Sequence, residues 1–99
     1  MSTDARKFLE KDIGRLTLGM AIRSIRQGEG ESQISFAERL GISKQYLCDL
    51  EHDRKIVSPK KAKQFADTLG YSPEHFIALA LQDSLEHDGL FMKIEVKAA

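Results

Sequence analysis

The segment from Gly41 to Lys55, GISKQYLCDLEHDRK, contains the side chains whose types and spacing best fit a chemical task. Lys44, Gln45 and Tyr46 are consecutive and polar. A glutamine amide can bind adenine through both of its ends, and a lysine can donate to guanine O6 and N7 or to a phosphate. A tyrosine can offer its hydroxyl to a phosphate or its ring to a thymine methyl group. These side chains therefore predict contact with DNA bases.

Three acidic residues in the same segment, Asp49, Glu51 and Asp53, oppose this interpretation because phosphates repel carboxylates. Helix geometry, at about 100° per residue, separates the three. Leu47 and Leu50 define the buried side of the helix, so Glu51 lies beside the core while Asp49 faces the opposite side. Asp53 belongs to the turn that follows. Only Asp49 is therefore expected to face DNA.

The two helical acids have candidate partners elsewhere in the chain. We expect Glu51 to form a structural ion pair with Arg39 or Arg54. Two roles stay open for Asp49, namely a hydrogen bond from cytosine N4 or a pair with Lys44 or Arg54.

The elements that must position these side chains are two helices crossing through a tight turn. Ala37 lies four residues before Gly41, Leu47 lies six after it, and Leu50 follows three residues later. A small residue lets the helices approach, and glycine takes a backbone conformation that other residues adopt at a cost. The two leucines anchor the second helix to the first. The pattern is that of a helix-turn-helix.

Cap and stop signals predict further helices on both sides of this unit, giving an all-α fold. The predicted N-cap residues are Thr17, Ser32, Ser43, Ser58 and Ser72. Proline follows directly after Ser58 and Ser72, at the first helical position, where it costs no hydrogen bond. Gly41 and Gly70 are the predicted stops. The last helix, to about His87, is apolar around much of its first half.

The C-terminal sequence LFMKIEVKAA has a period of two, which predicts a short β-strand. A lone strand cannot satisfy its backbone groups, so we expect it to pair with its copy in a dimer or with another protein. The predicted interface residues are Phe76, Leu79, Leu90, Met92, Ile94 and Val96. The expected organisation is an arm or short helix over residues 1–16, a DNA-binding domain over residues 17–88, and this strand over residues 89–99.

The charges of the chain are balanced in number but separated along the sequence. Its 99 residues, the size of one domain, carry 15 basic and 15 acidic side chains. Residues 39–63 have a net charge of +4, whereas residues 64–99 have a net charge of −4. This separation predicts one surface for an anionic partner and another for a different contact.

Several classes of protein are disfavoured by the sequence. The single cysteine, Cys48, excludes an intrachain disulfide and fits a reducing cytoplasm. No apolar run approaches the roughly 20 residues of a membrane span, and the N-terminus lacks the apolar segment of a signal peptide. The histidines lack metal-ligand spacing with Cys48, and no catalytic signature is present. We expect a cytoplasmic protein that is not an enzyme and needs no metal or cofactor. For Cys48, a packing role without redox chemistry is favoured over a redox switch.

The segments LGMAIRSIR, ISFAERLGISKQYLCDLEHDRK and SPKKAKQFADTLGYSPEHF resemble the Cro and phage-lambda-repressor-like (Xre) family of DNA-binding proteins. The resemblance covers about Leu16 to Leu81. It implies a lambda-repressor-like fold of five helices that binds operator DNA as a dimer, with Gln33 supporting the recognition helix and touching a phosphate. The chain departs from the family at Asp53, where glycine is usual. Aspartate tolerates the left-handed conformation better than most residues, so the turn should survive.

The expected DNA contacts follow from this arrangement. The first turn of a recognition helix enters the major groove most deeply. The predicted base-contacting residues are Lys44, Gln45, Tyr46 and Asp49. The predicted phosphate-contacting residues are Gln33, Ser43, Arg54, Lys55, Lys60 and Lys61. Arg23 and Arg26 are weaker candidates.

Three functions fit these observations. The first is a sequence-specific transcriptional repressor that binds double-stranded operator DNA as a homodimer. The second is an antitoxin that neutralises a protein toxin and autoregulates its operon. The third is an adaptor that keeps the fold without contacting DNA, for which Asp49 and the zero net charge would be the argument.

Overall fold

The computed structural model describes residues 16–99. Five helices follow one another in this part of the chain: α1 Leu18–Gly28, α2 Gln33–Leu40, α3 Lys44–Glu51, α4 Pro59–Leu69 and α5 Pro73–His87. The predicted all-α architecture of five helices is therefore confirmed. The expected N-terminal arm or short helix falls, apart from Leu16, outside the described residues. None of the helices within residues 16–99 has the length and apolar content to cross a membrane.

Local sequence signals set the ends of these helices. Before each helix, a hydroxyl side chain accepts a hydrogen bond from a backbone N–H of the first turn, which typically stabilises a helix by about 1 kcal/mol. The cap residues are those predicted, Thr17, Ser32, Ser43, Ser58 and Ser72. Gly41 and Gly70 end α2 and α4 in the left-handed region, with φ angles of 71° and 77°. Glycine suits both positions because a Cβ would be strained there.

The core lies between the helices and contains three buried phenylalanines, Phe36 of α2, Phe65 of α4 and Phe76 of α5. Leu47 and Leu50 of α3 are buried with them. Their predicted role as the anchor of the second helix is thus confirmed. Because one side of α3 is held in the core, the side that carries Lys44 and Gln45 faces solvent.

Helices α1 and α3 approach each other closely. A Cβ on Gly19 would lie 1.8 Å from the carbonyl oxygen of Leu50, so only glycine fits at this position. The turn after α3 closes the same contact, since Thr17 Oγ1 donates a hydrogen bond to Asp53 Oδ1 at 2.7 Å. Asp53 has a φ of 58°, the left-handed conformation predicted for it. The turn therefore survives with aspartate in place of glycine.

Two of the predicted interface residues belong to the core. Phe76 and Leu79 of α5 are only 1% and 9% exposed within the single chain. Both side chains therefore present little surface to a partner in the single chain, and their interface role stays a prediction. The excess of apolar residues in the first half of α5 is used by the packing of α5 against the other helices.

The predicted C-terminal strand is also wrong for the single chain. No strand is found within residues 16–99, and the segment after Gly89 has no regular structure. Alternating apolar residues can distinguish two faces, but a strand needs a neighbour to accept its backbone hydrogen bonds. The first residue of the segment is held to the end of α5, because Leu90 N donates to Leu85 O at 2.8 Å.

Candidate nucleic-acid interface

The N-terminal turn of α3 presents polar side chains to solvent. Lys44 and Gln45 are exposed, as predicted for residues that contact bases. Tyr46 is half-buried and packs against the core, so its ring is less available than the sequence implies. Ser43 accepts the backbone N–H of Tyr46 at 3.0 Å, and its own hydroxyl proton stays free to donate to an anion. The first turn therefore offers a lysine, an amide and a hydroxyl on one side.

Asp49 lies one turn further along α3 and has two partners. Its Oδ1 accepts a hydrogen bond from Arg54 Nε at 2.9 Å and another from Gln45 Nε2 at 3.1 Å. Of the two roles left open for Asp49, the pair with Arg54 is the one present in the free protein. The hydrogen bond from Arg54 is the main reason that the pKa of Asp49 lies below its ordinary value. Partial burial opposes this shift and the Gln45 amide adds to it.

The Arg54 side chain keeps donors available despite this pair. A guanidinium has five N–H donors in a planar fork. One of them, on Nε, is given to Asp49, and Nη2 lies 3.5 Å from the Cys48 sulfur. The remaining donors can still reach a phosphate from a side chain that is 51% exposed. Arg54 can therefore neutralise Asp49 and contact a phosphate at the same time.

Cys48 is half-buried and stands beside two nitrogen groups. Its sulfur is 3.5 Å from Arg54 Nη2 and 3.7 Å from His52 Nδ1. The proximity of Arg54 was not foreseen from the sequence, which shows only the spacing along the helix. In the part of the chain that the structure describes, no group of three or more His, Cys, Asp or Glu side chains could hold a metal ion.

Glu51 is the one buried charged residue within residues 16–99, with 3% exposure. Its carboxylate accepts Arg26 Nε at 2.7 Å, Arg26 Nη2 at 3.0 Å and Gln33 Nε2 at 3.0 Å. The structural role predicted for Glu51 is confirmed, but the predicted partners, Arg39 and Arg54, are wrong. Helix α1 crosses behind α3 and brings Arg26 to the carboxylate, a relationship that spacing along the chain does not reveal.

The hydrogen bonds from Arg26 and Gln33 also decide the ionisation of Glu51. Burial on its own raises the pKa of Glu51, yet hydrogen bonds from Arg26 and Gln33, together with the Arg26 charge, outweigh it. The net pKa lies below the ordinary value, so the carboxylate is ionised at neutral pH. Arg26 also donates to the Glu31 carbonyl at 3.0 Å, which leaves it a structural residue and removes it from the phosphate candidates.

Arg39, one of the partners predicted for Glu51, turns away from α3. It forms ion pairs with Glu29, at 2.7 Å, and with Glu31, both in the segment between α1 and α2. Its guanidinium also lies over the Phe36 ring, 5.2 Å from the centroid. These contacts fix the segment before α2 and not the recognition helix.

Gln33, at the start of α2, contacts α3 through Glu51. This is the supporting role that the family resemblance implies. Its second amide hydrogen is the group that could reach a phosphate, which stays a prediction.

Several of the lysines predicted to bind DNA have no acidic partner in the part of the chain that the structure describes. Within residues 16–99, four predicted DNA-binding lysines take part in no ion pair: Lys44, Lys55, Lys60 and Lys61. By contrast, Lys63 is paired with Asp67 at 2.8 Å. Of the three acids near α3, Asp49 and Glu51 are paired with arginines and Asp53 accepts a hydrogen bond from Thr17, whereas the four lysines have no acidic partner among the described residues.

The matched residues place this site in a known family. The model of the family described as Helix-turn-helix matches residues 22–76, more than half of the chain, and this range includes all of α2, α3 and α4. The chain belongs to the Cro/C1-type helix-turn-helix family. Members of this family are DNA-binding regulators, and α3 is the second, recognition helix of the motif. No curated protein and no solved structure matches the chain.

Sequence reasoning missed three further relationships that involve α3. The Gln45 to Asp49 hydrogen bond has the i, i+4 spacing of neighbours on a helix, so it could have been predicted. The Arg26 to Glu51 pair spans 25 residues and carries no local signal. The requirement for glycine at position 19 likewise has no signal in the sequence, because it depends on how closely α1 crosses α3.

Proposed function

We propose that this helix-turn-helix protein is a transcriptional repressor that binds double-stranded operator DNA as a homodimer, with α3 in the major groove. The observation that carries the proposal is which charged side chains of this region are paired within the chain and which are not. Asp49, Glu51 and Asp53 each have an intramolecular partner. Within the described residues, Lys44, Lys55, Lys60 and Lys61 form no ion pair, so their positive charges are available to phosphates although the chain has no net charge.

The side chains divide into base-contacting and phosphate-contacting groups. Lys44 and Gln45 stand at the start of α3, where a recognition helix meets the base edges. Tyr46 is held closer to the core, which favours a hydroxyl contact with a phosphate over a base contact. The proposed phosphate contacts are Gln33, Ser43, Arg54, Lys55, Lys60 and Lys61.

The adaptor function loses its main argument. It depends on a carboxylate that repels DNA, whereas Asp49 is paired with Arg54 and only 16% of its side chain is exposed. A neutralised acid on the recognition helix is compatible with an approaching phosphate backbone.

Selection of binding sites from a random DNA library, followed by footprinting on the selected sequence, tests the proposal. We expect enrichment of one sequence with two half-sites, centred about 10 base pairs apart or a multiple of that, as a dimer with two recognition helices requires. Binding without enrichment of any sequence would overturn the repressor proposal. A single half-site would retain base recognition and overturn the homodimer.

An antitoxin that neutralises a protein toxin is the alternative function, and one feature favours it. Leu90, Phe91 and Met92 are 49%, 79% and 61% exposed. They lie in the acidic third of the chain, residues 64–99, whose net charge is −4. An exposed apolar segment with acidic surroundings suits a basic protein partner as well as a second copy.

Removal of residues 89–99 separates these alternatives. If the segment forms the homodimer, the shortened protein sediments as a monomer and loses most of its operator affinity, because each half-site is then bound independently. A dimer that persists after the deletion would leave the segment available for a different protein partner. The product of a neighbouring gene, purified together with the full chain but not with the shortened one, would then favour the antitoxin.

A further inference from the structure

Asp49 has a position that the proposed function does not explain. It stands on the solvent side of the recognition helix, where a carboxylate should weaken binding to DNA. Yet its Oδ1 is shared between the Gln45 amide nitrogen, at 3.1 Å, and Arg54 Nε, at 2.9 Å. Gln45 is exposed and lies in the turn of α3 that precedes Asp49. The carboxylate therefore contacts one proposed base-contacting residue and one proposed phosphate-contacting residue.

We propose that Asp49 is a positioning residue that fixes the side-chain amide of Gln45 so that this position selects adenine. The inference rests on the proposed function, since it names the base chosen by the recognition helix. Asp49 acts through Gln45, and it does not itself contact the base.

The chemistry of the amide supports this role. A glutamine amide without a fixed partner can rotate by half a turn, so that its oxygen and its nitrogen swap positions. Beside the Asp49 carboxylate, only the nitrogen end is attracted, because Oε1 would be repelled by Oδ1. With the nitrogen held, Oε1 and the second N–H stay available as an acceptor and a donor. Adenine presents the matching N6 donor and N7 acceptor, whereas guanine presents two acceptors in the major groove.

Arg54 makes this arrangement compatible with DNA. Its hydrogen bond keeps Asp49 ionised, and its remaining N–H groups can reach a phosphate from the same position. The negative charge of Asp49 is thereby neutralised within the protein. The phosphate contact of Arg54 and the base contact of Gln45 are connected through one carboxylate oxygen.

The experiment measures the preference for each of the four bases at every position of the selected operator. The proteins are the wild-type chain, Gln45→Ala, Asp49→Ala and the double variant. Gln45→Ala should remove a preference for adenine at one position, roughly fivefold to a hundredfold for a bidentate contact. Asp49→Ala should weaken the same preference at the same position. The double variant should have the base profile of Gln45→Ala.

A matched control is Asp67→Ala, which removes another surface acid that is paired with a cation, here Lys63. Its base profile should be that of the wild type. A second readout is NMR spectroscopy of the protein without DNA. The side-chain amide resonances of Gln45 are assigned by their loss in Gln45→Ala. They should shift in Asp49→Ala and stay in place in Asp67→Ala. Unshifted amide signals would show that Asp49 does not hold Gln45 and would overturn the inference.

Two other outcomes would also overturn it. A changed preference at a separate position, present in both the wild-type and the Gln45→Ala background, would mean that Asp49 contacts a base directly. Tighter binding of Asp49→Ala to all DNA with an unchanged base profile would mean that Asp49 only repels phosphates. The absence of any base preference in the wild-type protein is distinguishable from both, since it would overturn the proposed function and with it this inference.

Discussion

Glu51 of α3 and Arg26 of α1 are joined by two hydrogen bonds, of 2.7 and 3.0 Å, although they lie 25 residues apart in the sequence. The Glu51 side chain is 1% exposed and that of Arg26 is 14% exposed. A buried ion pair of this kind fixes where α1 meets the recognition helix, and Gln33 adds a hydrogen bond from α2. The orientation of α3, and hence of its DNA-binding side, depends on this cluster of Arg26, Gln33 and Glu51.

Removal of one partner from this cluster should destabilise the fold strongly. Replacement of Arg26 by methionine leaves the Glu51 carboxylate buried without its counterion, which typically costs about 3–5 kcal/mol. The free energy of unfolding, measured by urea denaturation, should fall by an amount near the lower end of that range, because Arg26 keeps some contact with solvent. The double variant Arg26→Met with Glu51→Met should recover part of the loss. A single-variant loss below about 1 kcal/mol, the value of an exposed pair, would contradict this account.

The same cluster predicts how stability depends on pH. The pKa of Glu51 is lower in the folded protein than its ordinary value of 4.5, so its contribution to stability is present above that pH. The contribution is lost as the pH falls through the folded pKa, because the folded state then binds the proton that the unfolded state already holds. Thermal melting of the wild type between about pH 7 and pH 3 should show this loss. Glu51→Gln should show a smaller dependence, and an equal dependence in the two proteins would assign the effect to other groups.

The close approach of α1 to α3 predicts that Gly19 does not tolerate a side chain. In Gly19→Ala the added carbon would lie 1.8 Å from the Leu50 carbonyl oxygen, so the backbone must move. Such overpacking typically costs about 1–3 kcal/mol, which denaturant unfolding would detect. Gly28→Ala in the same helix is the matched control, since nothing lies within 4 Å of the added carbon. Equal stability of the two variants would mean that the helices separate without cost.

The proposed phosphate contact of Arg54 predicts a loss of affinity that is independent of sequence. Arg54→Ala should weaken binding to operator and random DNA alike, since it removes a phosphate contact and leaves the Asp49 charge without its counterion. The slope of log affinity against log salt should decrease by about 1. Lys63→Ala is the control, because Lys63 is already paired with Asp67 on the surface of α4. A loss confined to the operator would instead assign Arg54 to base contact.

The sequence by itself determined the helices and the side of α3 that faces solvent. Hydroxyl caps such as Ser43, glycine stops such as Gly41 and the periodic leucines Leu47 and Leu50 act on neighbours within one or two turns. Their effects are therefore readable from spacing alone. The same periodicity separated Glu51, on the core side, from Asp49, on the outer side, and both placements agree with the structure.

Only the tertiary structure decided which distant groups meet. Arg26, and not Arg39 or Arg54, binds Glu51 because the crossing of α1 and α3 brings it there. The tight contact at Gly19 has the same origin. In the C-terminal segment, by contrast, the local pattern was misleading. Its alternating apolar residues fit one face of a strand, but within residues 16–99 the tertiary structure places no neighbouring strand beside it. Local patterns are set by covalent neighbours, whereas ion pairs, close contacts and strand pairing depend on how complete helices pack in space.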